Sequence, residues 1–354
     1  MKVLVLGGTR FIGPHLVRAL VSRDHAVTVF RRGHTRAELP RAVEAIVGDR
    51  ERDVTALIGR AWDSAIDLSA YTADWVRRTG LILHDRVAHY TFVSSNAVYS
   101  DQNLHSWTVE GDAVHDPSVE QLTRLRAYGA GKVAAERAAE ELFPGRLLTI
   151  RPGWVFGPGN TFPPSTYLAA RAARGGEMLV AGDEGAIVQF LDVRDLASWL
   201  VLQIEAFATG LHNLAGPVPQ ATLGDVVGEL SRAFGTRVEW VGPEWFIAQP
   251  ERHTLESLLF WTDQRDDTAE THRAGFLHTM RNDIGRARQA GLVTRPGAET
   301  LIDAARWLEL ELGGVDGQES RSRASLWPRS TEWEHILDVE QSLLSRRGRL
   351  RSPR

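Results

Sequence analysis

Short apolar runs alternate with amphipathic stretches through the first part of the chain. The stretches between the runs are loops or carry apolar residues at helical spacing. Strands and helices that alternate in this way predict a parallel sheet with helices on both faces. The runs are KVLVLG (2–7), AVTVFR (26–31), AIVGD (45–49), SAIDLSAY (64–71), HYTFVSS (89–95) and LLTIRP (147–152).

Composition narrows the class of protein. The chain has no cysteine, which excludes disulfides and thiolate chemistry and favours a reducing, cytoplasmic compartment. Its 41 basic and 45 acidic residues give a net charge of −4, which argues against a nucleic-acid partner held by bulk electrostatics. We find no leader before the first strand and no apolar stretch of membrane-spanning length, so we expect no membrane partner.

The first apolar run leads into a glycine turn and then an amphipathic helix, in VLVLGGTRFIG (3–13). Gly7, Gly8 and Gly13 can supply the tight turn, the close backbone approach and the helix–strand contact that a dinucleotide fold requires. A turn kept only for its geometry is the alternative. Arg10 stands where such turns usually have a small residue, and we expect its guanidinium to face a negative group.

Tyr128 and Lys132 lie one helical turn apart in AYGAGKVAAE (127–136). A nearby ammonium lowers the pKa of a phenol, which would make Tyr128 a usable proton donor near neutral pH. Only Lys2 and Lys132 are lysines among the 41 basic residues, so Lys132 stands out; a surface helix pair is the alternative. Ser95 ends a buried strand and could polarise a carbonyl group that Tyr128 protonates.

Together these motifs resemble the extended branch of the short-chain dehydrogenase/reductase superfamily. The GGTRFIG turn is similar to an atypical subset described as epimerase/dehydratase-like or reductase-like. The resemblance covers residues 1 to about 310 and continues in RPGWVFGPGN (151–160), FLDVRDLA (190–197) and GLHNLAGP (210–217). It implies an α/β fold, a Rossmann-type doubly wound parallel sheet with a smaller C-terminal substrate lobe.

The resemblance also implies roles for individual residues. Ser95, Tyr128 and Lys132 form the catalytic set, in which Tyr128 is the acid/base and Lys132 also binds the nicotinamide ribose. The expected substrate contacts are Tyr71, Asn96 and Trp154, at or just beyond strand ends. The expected cofactor contacts are Gly7, Gly8, Thr9, Arg10, Phe11, Ile12, Gly13, Arg31, Arg32, Asp49, Arg50, Ser69, Ala70, Tyr128 and Lys132.

Two departures from the family narrow the chemistry. Sugar dehydratases carry an Asp-Glu pair after the catalytic hydroxyl residue, whereas this chain has Asn96 and Ala97, so we do not expect dehydration. Members that hold NAD usually end the second strand with an acidic residue, but here Arg31 and Arg32 stand there. Arg10 and Arg31 can clamp a 2′-phosphate, which predicts NADP(H). Solvated rim arginines, with NAD as cofactor, are the alternative.

Asp49 and the histidines do not change the expected chemistry. Asp49, in VGDRERD (47–53), follows the third strand, where it would either contact the adenine or bond its own loop. The 12 histidines show no ligand spacing, so we predict no metal site.

We therefore expect an NADP(H)-dependent oxidoreductase that transfers hydride to or from a small-molecule carbonyl or secondary alcohol. An NAD-dependent nucleotide-sugar epimerase is one alternative, and an RNA-binding protein on the same fold, suggested by the basic end SRRGRLRSPR (345–354), is another. Analogy with the superfamily, and nothing else in the sequence, suggests a homodimer. The expected domains are a dinucleotide-binding domain (1–160, its sheet completed near 186–215), a mainly substrate-binding lobe (161–313) and a linker, short helix and basic tail (314–354).

Overall fold

The computed structural model describes residues 1–34, 39–100, 107–119, 124–160, 163–252, 254, 281–313 and 330–351. The chain divides into two units that each draw on several segments. Unit 1 comprises Met1–Val155, Val193–Ala215 and Arg281–Thr294. Unit 2 comprises Phe156–Asp192, Gly216–Met280 and Arg295–Arg354.

The secondary structure of the described residues alternates as the apolar pattern predicts. The strands are β1 (Lys2–Leu6), β2 (Ala26–Arg31), β3 (Glu44–Val47), β4 (Trp62–Asp67), β5 (Val87–Val93), β6 (Leu147–Pro152), β7 (Val155–Phe156), β8 (Glu177–Ala181), β9 (Ile187–Val188), β10 (Leu191–Asp192), β11 (Gly210–Leu214), β12 (Ala221–Thr222) and β13 (Arg237–Val241). The helices are α1 (Ile12–Val21), α2 (Ala73–Leu83), α3 (Arg124–Leu142), α4 (Pro163–Ala173), α5 (Val193–Glu205), α6 (Leu223–Phe234), α7 (Pro243–Ile247), α8 (Gly285–Gln289), α9 (Gly297–Gly313) and α10 (Ser330–Arg351).

Unit 1 is built on a seven-stranded sheet in the order β11-β6-β5-β4-β1-β2-β3. Every neighbouring pair in it is parallel. All six apolar runs of the first half become strands of this sheet, and GLHNLAGP returns to it as β11, so the predicted Rossmann-type fold is confirmed. Leu6 pairs with Phe30 on one side and with Asp67 on the other, which brings the carboxyl ends of three strands to one edge, where such folds bind ligands.

Helices pack in pairs on the sheet of unit 1: α2 lies against α3, and α1 against α5. Thr72 caps α2 because its side chain accepts the Trp75 N–H, which satisfies one of the free donors of the first turn. Small residues of α3 let the α2 and α3 pair approach the sheet closely. The buried cluster there includes Leu4, Leu6, Phe30, Val76, Leu83, Tyr90, Phe92, Ala135, Ala138, Ala139 and Phe143.

Unit 2 contains the parallel pair β8–β13 and the antiparallel pair β9–β12. Helix α4 begins at Pro163, before the helical pattern that starts at Thr166, because prolines are tolerated in the first turn of a helix. Helix α10 has 22 residues and is longer than the short helical pattern of the sequence. Its buried residues Ile336, Val339, Leu343 and Leu344 join a cluster with Tyr167, Leu179, Ala181, Val241 and Phe246.

A buried ion pair ties α10 to the rest of unit 2. The Arg171 Nε lies 2.5 Å from a carboxylate oxygen of Glu340, and both side chains are almost fully buried. Arg171 also donates to the carbonyl oxygens of Gly175 and Glu177. The second Glu340 oxygen accepts the Leu179 N–H at 2.9 Å, so the charges and most of their donors are satisfied away from water.

Close contact between the β1–α1 turn and the start of α1 depends on two glycines. A Cβ on Gly13 would lie 2.3 Å from the carbonyl carbon and 2.6 Å from the Cα of Gly8. A Cβ on Gly8 would lie 3.0 Å from a methyl carbon of Val5. Glycine is therefore required at position 13 if α1 is to start directly above the sheet edge, whereas a side chain at position 8 would press on Val5.

We expect Gly13→Ala to lower the free energy of unfolding by about 2 kcal/mol or more, because backbone atoms cannot move aside as a side chain would. Thermal unfolding followed by circular dichroism measures the effect. Gly228→Ala is the control: it lies within α6 with nothing within 4 Å of its added Cβ, so helix propensity makes it neutral or stabilising. Equal midpoints for the two variants would contradict the close-contact argument.

We expect Glu340→Gln to lower the free energy of unfolding of unit 2 by about 3 kcal/mol, because it leaves the Arg171 guanidinium buried without a counter-charge. Denaturant titration with a tryptophan fluorescence readout measures it. Glu299→Gln, which removes a half-exposed partner of Arg295, should change stability by less than about 1 kcal/mol. A loss as small for Glu340→Gln would mean that the pair does not hold α10.

Candidate functional site

The turn between β1 and α1 brings together the predicted glycine motif. Gly7 adopts a φ of +97°, and Phe11 has a φ of 29° that is strained for a non-glycine residue. The turn is closed by the Thr9 N–H bonding the Gly7 carbonyl at 2.7 Å and the Gly13 N–H bonding the Arg10 carbonyl at 2.8 Å. Ile12 then begins α1, so the amino end of this helix lies at the same sheet edge.

Three arginines lie at or beside this edge. The Gly7 N–H bonds the Phe30 carbonyl at 3.0 Å, so Arg31, which ends β2, lies directly beside the turn. Arg10 and Arg32 are exposed and Arg31 is half-buried. The Arg31 Nε is buried and has no hydrogen-bond partner among the described residues, so the side chain has an unused donor for an anion.

The predicted contacts Asp49 and Arg50 have different surroundings. The Asp49 carboxylate accepts the Glu51 N–H at 3.0 Å and so bonds its own loop, as one of the two readings of the sequence expects. The Arg50 side chain is buried and points into unit 1, where both terminal nitrogens bond the Asp67 carboxylate at 2.6 Å. A cofactor contact for either residue stays a prediction.

Asp67 ends β4 and is the centre of a buried polar network. Besides Arg50, its carboxylate accepts the Ser69 and Ala70 N–H groups at 3.0 Å and the Tyr90 hydroxyl at 2.8 Å. Burial opposes ionisation, but the Arg50 charge and these donors outweigh it and hold the pKa of Asp67 below its ordinary value. Ser69 and Ala70, both predicted cofactor contacts, are therefore fixed in one conformation at the sheet edge.

Lys132 is buried beneath this loop. Its Nζ donates to the Ala70 carbonyl at 2.8 Å and to the Val93 carbonyl at 2.7 Å, and it lies 4.4 Å from the centre of the Phe92 ring. Burial lowers the pKa of Lys132 to about 8, although Asp67 and Glu136 oppose the shift. The ammonium form therefore predominates at neutral pH but is lost just above it.

Tyr128, Tyr71 and Ser95 meet Lys132 in unit 1. The ring centres of Tyr71 and Tyr128 are 6.1 Å apart, and the Lys132 Nζ lies 6.0 Å from the Tyr71 ring. Burial raises the pKa of Tyr128, Tyr71 adds to the rise, and the nearby Ser95 side chain opposes it. The structure thus brings the predicted catalytic residues and one predicted substrate residue together.

The expectation that Lys132 lowers the pKa of Tyr128 is wrong for this structure. Burial raises the pKa of Tyr128, and the Lys132 ammonium does not offset the rise, because it bonds two backbone carbonyls instead of the phenol. A spacing of four residues places both side chains on one face of α3, but it does not decide which acceptor the ammonium selects. The Tyr128 phenol is consequently protonated at neutral pH.

The remaining predicted substrate residues lie at the ends of β5 and β6. Asn96 is buried in the turn after β5, and Trp154 is half-buried between β6 and β7. A Cβ on Gly153 would lie 3.4 Å from the amide nitrogens of both Asn96 and Asn282. Asn282 was not foreseen, because its stretch of sequence carries no recognised motif.

A second buried network, also unforeseen, supports this end of unit 1. Arg151 bonds both carboxylate oxygens of Glu136, at 3.0 and 2.7 Å, and its guanidinium lies over the Tyr99 ring. Tyr99 donates to Asn213 at 2.6 Å, and the Asn213 N–H bonds Glu110 at 2.9 Å. The other members of this network come from four separate segments of the chain, so sequence spacing could not reveal it.

The described residues contain neither a metal-binding cluster nor a membrane-spanning helix. Within the ranges that the structure describes, no group of three or more histidine, aspartate or glutamate side chains is arranged to hold a metal ion. No helix in that part of the chain is both long and apolar enough to cross a bilayer.

The sequence is similar to those of two proteins with different names. A chloroplast stem-loop binding protein of 41 kDa from Arabidopsis thaliana is 28% identical over 233 residues, which cover 61% of this chain and 58% of that protein. The 2′-dehydrokanamycin reductase of Streptomyces kanamyceticus is 31% identical over 199 residues, covering 52% of this chain and 53% of that enzyme. The chain therefore matches little more than half the length of either relative.

Solved structures share the fold. A UDP-glucuronic acid 4-epimerase from Bacillus cereus, solved in complex with NAD, is 16% identical with a TM-score of 0.63, and the match covers 90% of this chain and 99% of that one. A family model described as the NAD dependent epimerase/dehydratase family matches residues 3–215, the stretch that holds the glycine turn, Ser95, Tyr128 and Lys132. The resemblance seen in the sequence is confirmed, and the chain belongs to the NAD dependent epimerase/dehydratase family.

Proposed function

We propose that the protein is an NADP(H)-dependent oxidoreductase that transfers hydride to or from the carbonyl or secondary alcohol carbon of a small molecule. The observation that carries the proposal is the buried Lys132 ammonium, fixed between two backbone carbonyls one helical turn from Tyr128, whose pKa is raised by burial and lowered by the nearby Ser95 side chain. Two hydroxyl groups that meet in this way can both bond one substrate oxygen. The lack of cysteine agrees with a reducing, cytoplasmic compartment.

The chain's own residues supply the proton chemistry. Ser95 hydrogen-bonds the substrate oxygen, and the Tyr128 phenol, kept protonated by its surroundings, donates its proton to that oxygen during reduction. Lys132 stabilises the negative charge that then develops on Tyr128, since a buried ammonium acts across a low dielectric. When bound, the nicotinamide supplies or accepts the hydride.

The structure carries features that fit such a cofactor. Gly7, Gly8 and Gly13 allow a close approach of the backbone, and α1 begins at the same edge, so the turn and the positive end of the helix dipole would hold the pyrophosphate. Arg31, with its unpartnered buried Nε, and the exposed Arg10 would hold a 2′-phosphate. Ser69 and Ala70 border the same edge.

A nucleotide-sugar epimerase with tightly held NAD is the second candidate, favoured by the family model. Such an enzyme interconverts UDP-sugars without net consumption of cofactor, whereas a reductase consumes NADPH in proportion to product. An RNA-binding function is favoured only by the similarity to the stem-loop binding protein. Two arginines of the basic end, Arg346 and Arg347, pair with Glu251 and Glu239, which leaves less free charge for RNA.

We expect NADPH to bind at least about tenfold more tightly than NADH, a difference of about 1.4 kcal/mol. Fluorescence titration of both cofactors measures it. Arg31→Ser should remove the preference, because the half-buried guanidinium is the donor beside the turn. Arg78→Ser, an exposed position on α2, is the matched control. An unchanged preference in Arg31→Ser, or a preference of the wild type for NADH, would point to NAD and the epimerase.

We expect Tyr128→Phe to lower turnover by about two orders of magnitude or more with cofactor affinity nearly unchanged, since it removes only the transferable proton. Lys132→Arg should also be damaging, because a guanidinium cannot replace a compact ammonium between two carbonyls. The exposed Lys2→Arg is its control. Turnover is measured as NADPH oxidation with a carbonyl panel and as UDP-sugar interconversion by NMR; full activity of both Tyr128→Phe and Lys132→Arg refutes the assignment.

A further inference from the structure

The position of the Lys132 ammonium depends on a short loop of another element. One of its two acceptors, the Val93 carbonyl, belongs to β5, and the other, the Ala70 carbonyl, belongs to the loop after β4. Strand β5 is rigid because it is paired on both sides. The loop Leu68–Tyr71 has no ladder partner beyond the Leu68 N–H, so something else must hold the Ala70 carbonyl in place.

The Asp67 carboxylate holds that loop. One of its oxygens accepts both the Ser69 and Ala70 N–H groups at 3.0 Å, which curls the backbone so that the Ala70 carbonyl is directed to Lys132. Arg50 fixes the carboxylate with two bonds of 2.6 Å and also bonds the Ser69 hydroxyl at 2.9 Å. Tyr90 supplies a further donor at 2.8 Å.

We propose that Asp67 is a positioning residue for Lys132: clamped by Arg50, it fixes the loop that presents the Ala70 carbonyl to the ammonium. This inference rests on the proposed function, in which the Lys132 ammonium supports Tyr128. Stability alone does not call for the buried pair, because well-packed apolar residues are often as stable as a buried ion pair.

The charges around Lys132 decide the sign of the electrostatic effect. Burial lowers the pKa of Lys132 to about 8; Asp67 and then Glu136 raise it, and Arg50 lowers it. The other titratable groups that face it are the Tyr71 ring, 6.0 Å from the Nζ, and Tyr128, one turn earlier on α3. Removing the Asp67 charge should therefore lower the pKa of Lys132 further, whereas merely loosening the loop would admit water and raise it.

The composition of the chain makes a direct test practical. Since Lys2 and Lys132 are its only lysines, isotope-labelled lysine gives two side-chain NMR signals in the full-length protein. In Asp67→Asn we expect the midpoint of the Lys132 titration to move to lower pH by about one pH unit, with the Lys2 signal unmoved. Asp63→Asn is the matched control, because Asp63 lies on the same strand but is exposed and bonds only the Lys2 backbone N–H. It should leave the Lys132 midpoint unchanged.

A second variant covers the case in which Asp67→Asn fails to fold. Asp67→Asn/Arg50→Met removes both buried charges and leaves neither unpaired. Because Asp67 affects Lys132 more than Arg50 does, the midpoint should still fall, by less than in the single variant. A midpoint that is unchanged or moves to higher pH in the folded variant overturns the proposal.

The NMR readout needs neither substrate nor cofactor, so it separates this inference from the proposed function. If Lys132→Arg and Tyr128→Phe retain full activity, the enzyme assignment fails whatever the titration shows. If those variants are inactive and Asp67→Asn leaves the Lys132 midpoint in place, only the positioning role fails. Where both hold, reduction by Asp67→Asn should decline at a lower pH than reduction by the wild type.

Discussion

The buried bidentate pair between Arg50 and Asp67 connects more parts of unit 1 than any other side-chain contact described above. Arg50 comes from the loop after β3 and also reaches the Trp75 carbonyl and Thr79 on α2. Asp67 ends β4 and receives Tyr90 from β5. Two charges taken out of water are tolerable only when their remaining donors and acceptors are met, so the pair constrains two strands, a loop and a helix at once.

Different interactions consequently hold the two parts of this sheet edge together. At the β1–α1 turn, close packing depends on the absence of side chains. Gly8 and Gly13 let backbone contact backbone, and no charge is needed. At the β4 and β5 ends, fit is achieved by charge, because Asp67 and Arg50 pair with each other and Lys132 bonds the Ala70 and Val93 carbonyls. The first arrangement is rigid at any pH, whereas the second depends on an ammonium group whose pKa lies near 8.

Much of the fold could be predicted from the sequence because its causes are local. Strands buried on both faces appear as continuous apolar runs, and the glycines of the turn are required by contacts a few residues apart. The ion pairs were not predictable in the same way. In the sequence, Arg50 appears only as a loop residue and Asp67 only as a residue at a strand end. Arg171 and Glu340 are 169 positions apart in the chain. The selection of backbone acceptors by Lys132 likewise depends on the Ala70 and Val93 carbonyls, which only tertiary structure places.

The position of Glu340 far along the chain has a consequence for folding during synthesis. The chain emerges from the ribosome with its N-terminus first. Helix α4, which carries Arg171, therefore leaves the ribosomal exit tunnel long before α10 does. Until α10 emerges, the Arg171 guanidinium lacks the Glu340 carboxylate as its partner, and the Leu179 N–H lacks its acceptor. Unit 2 therefore completes its core only after α10 has emerged, and until then Tyr167, Leu179 and Val241 lack the apolar residues of α10 that pack against them.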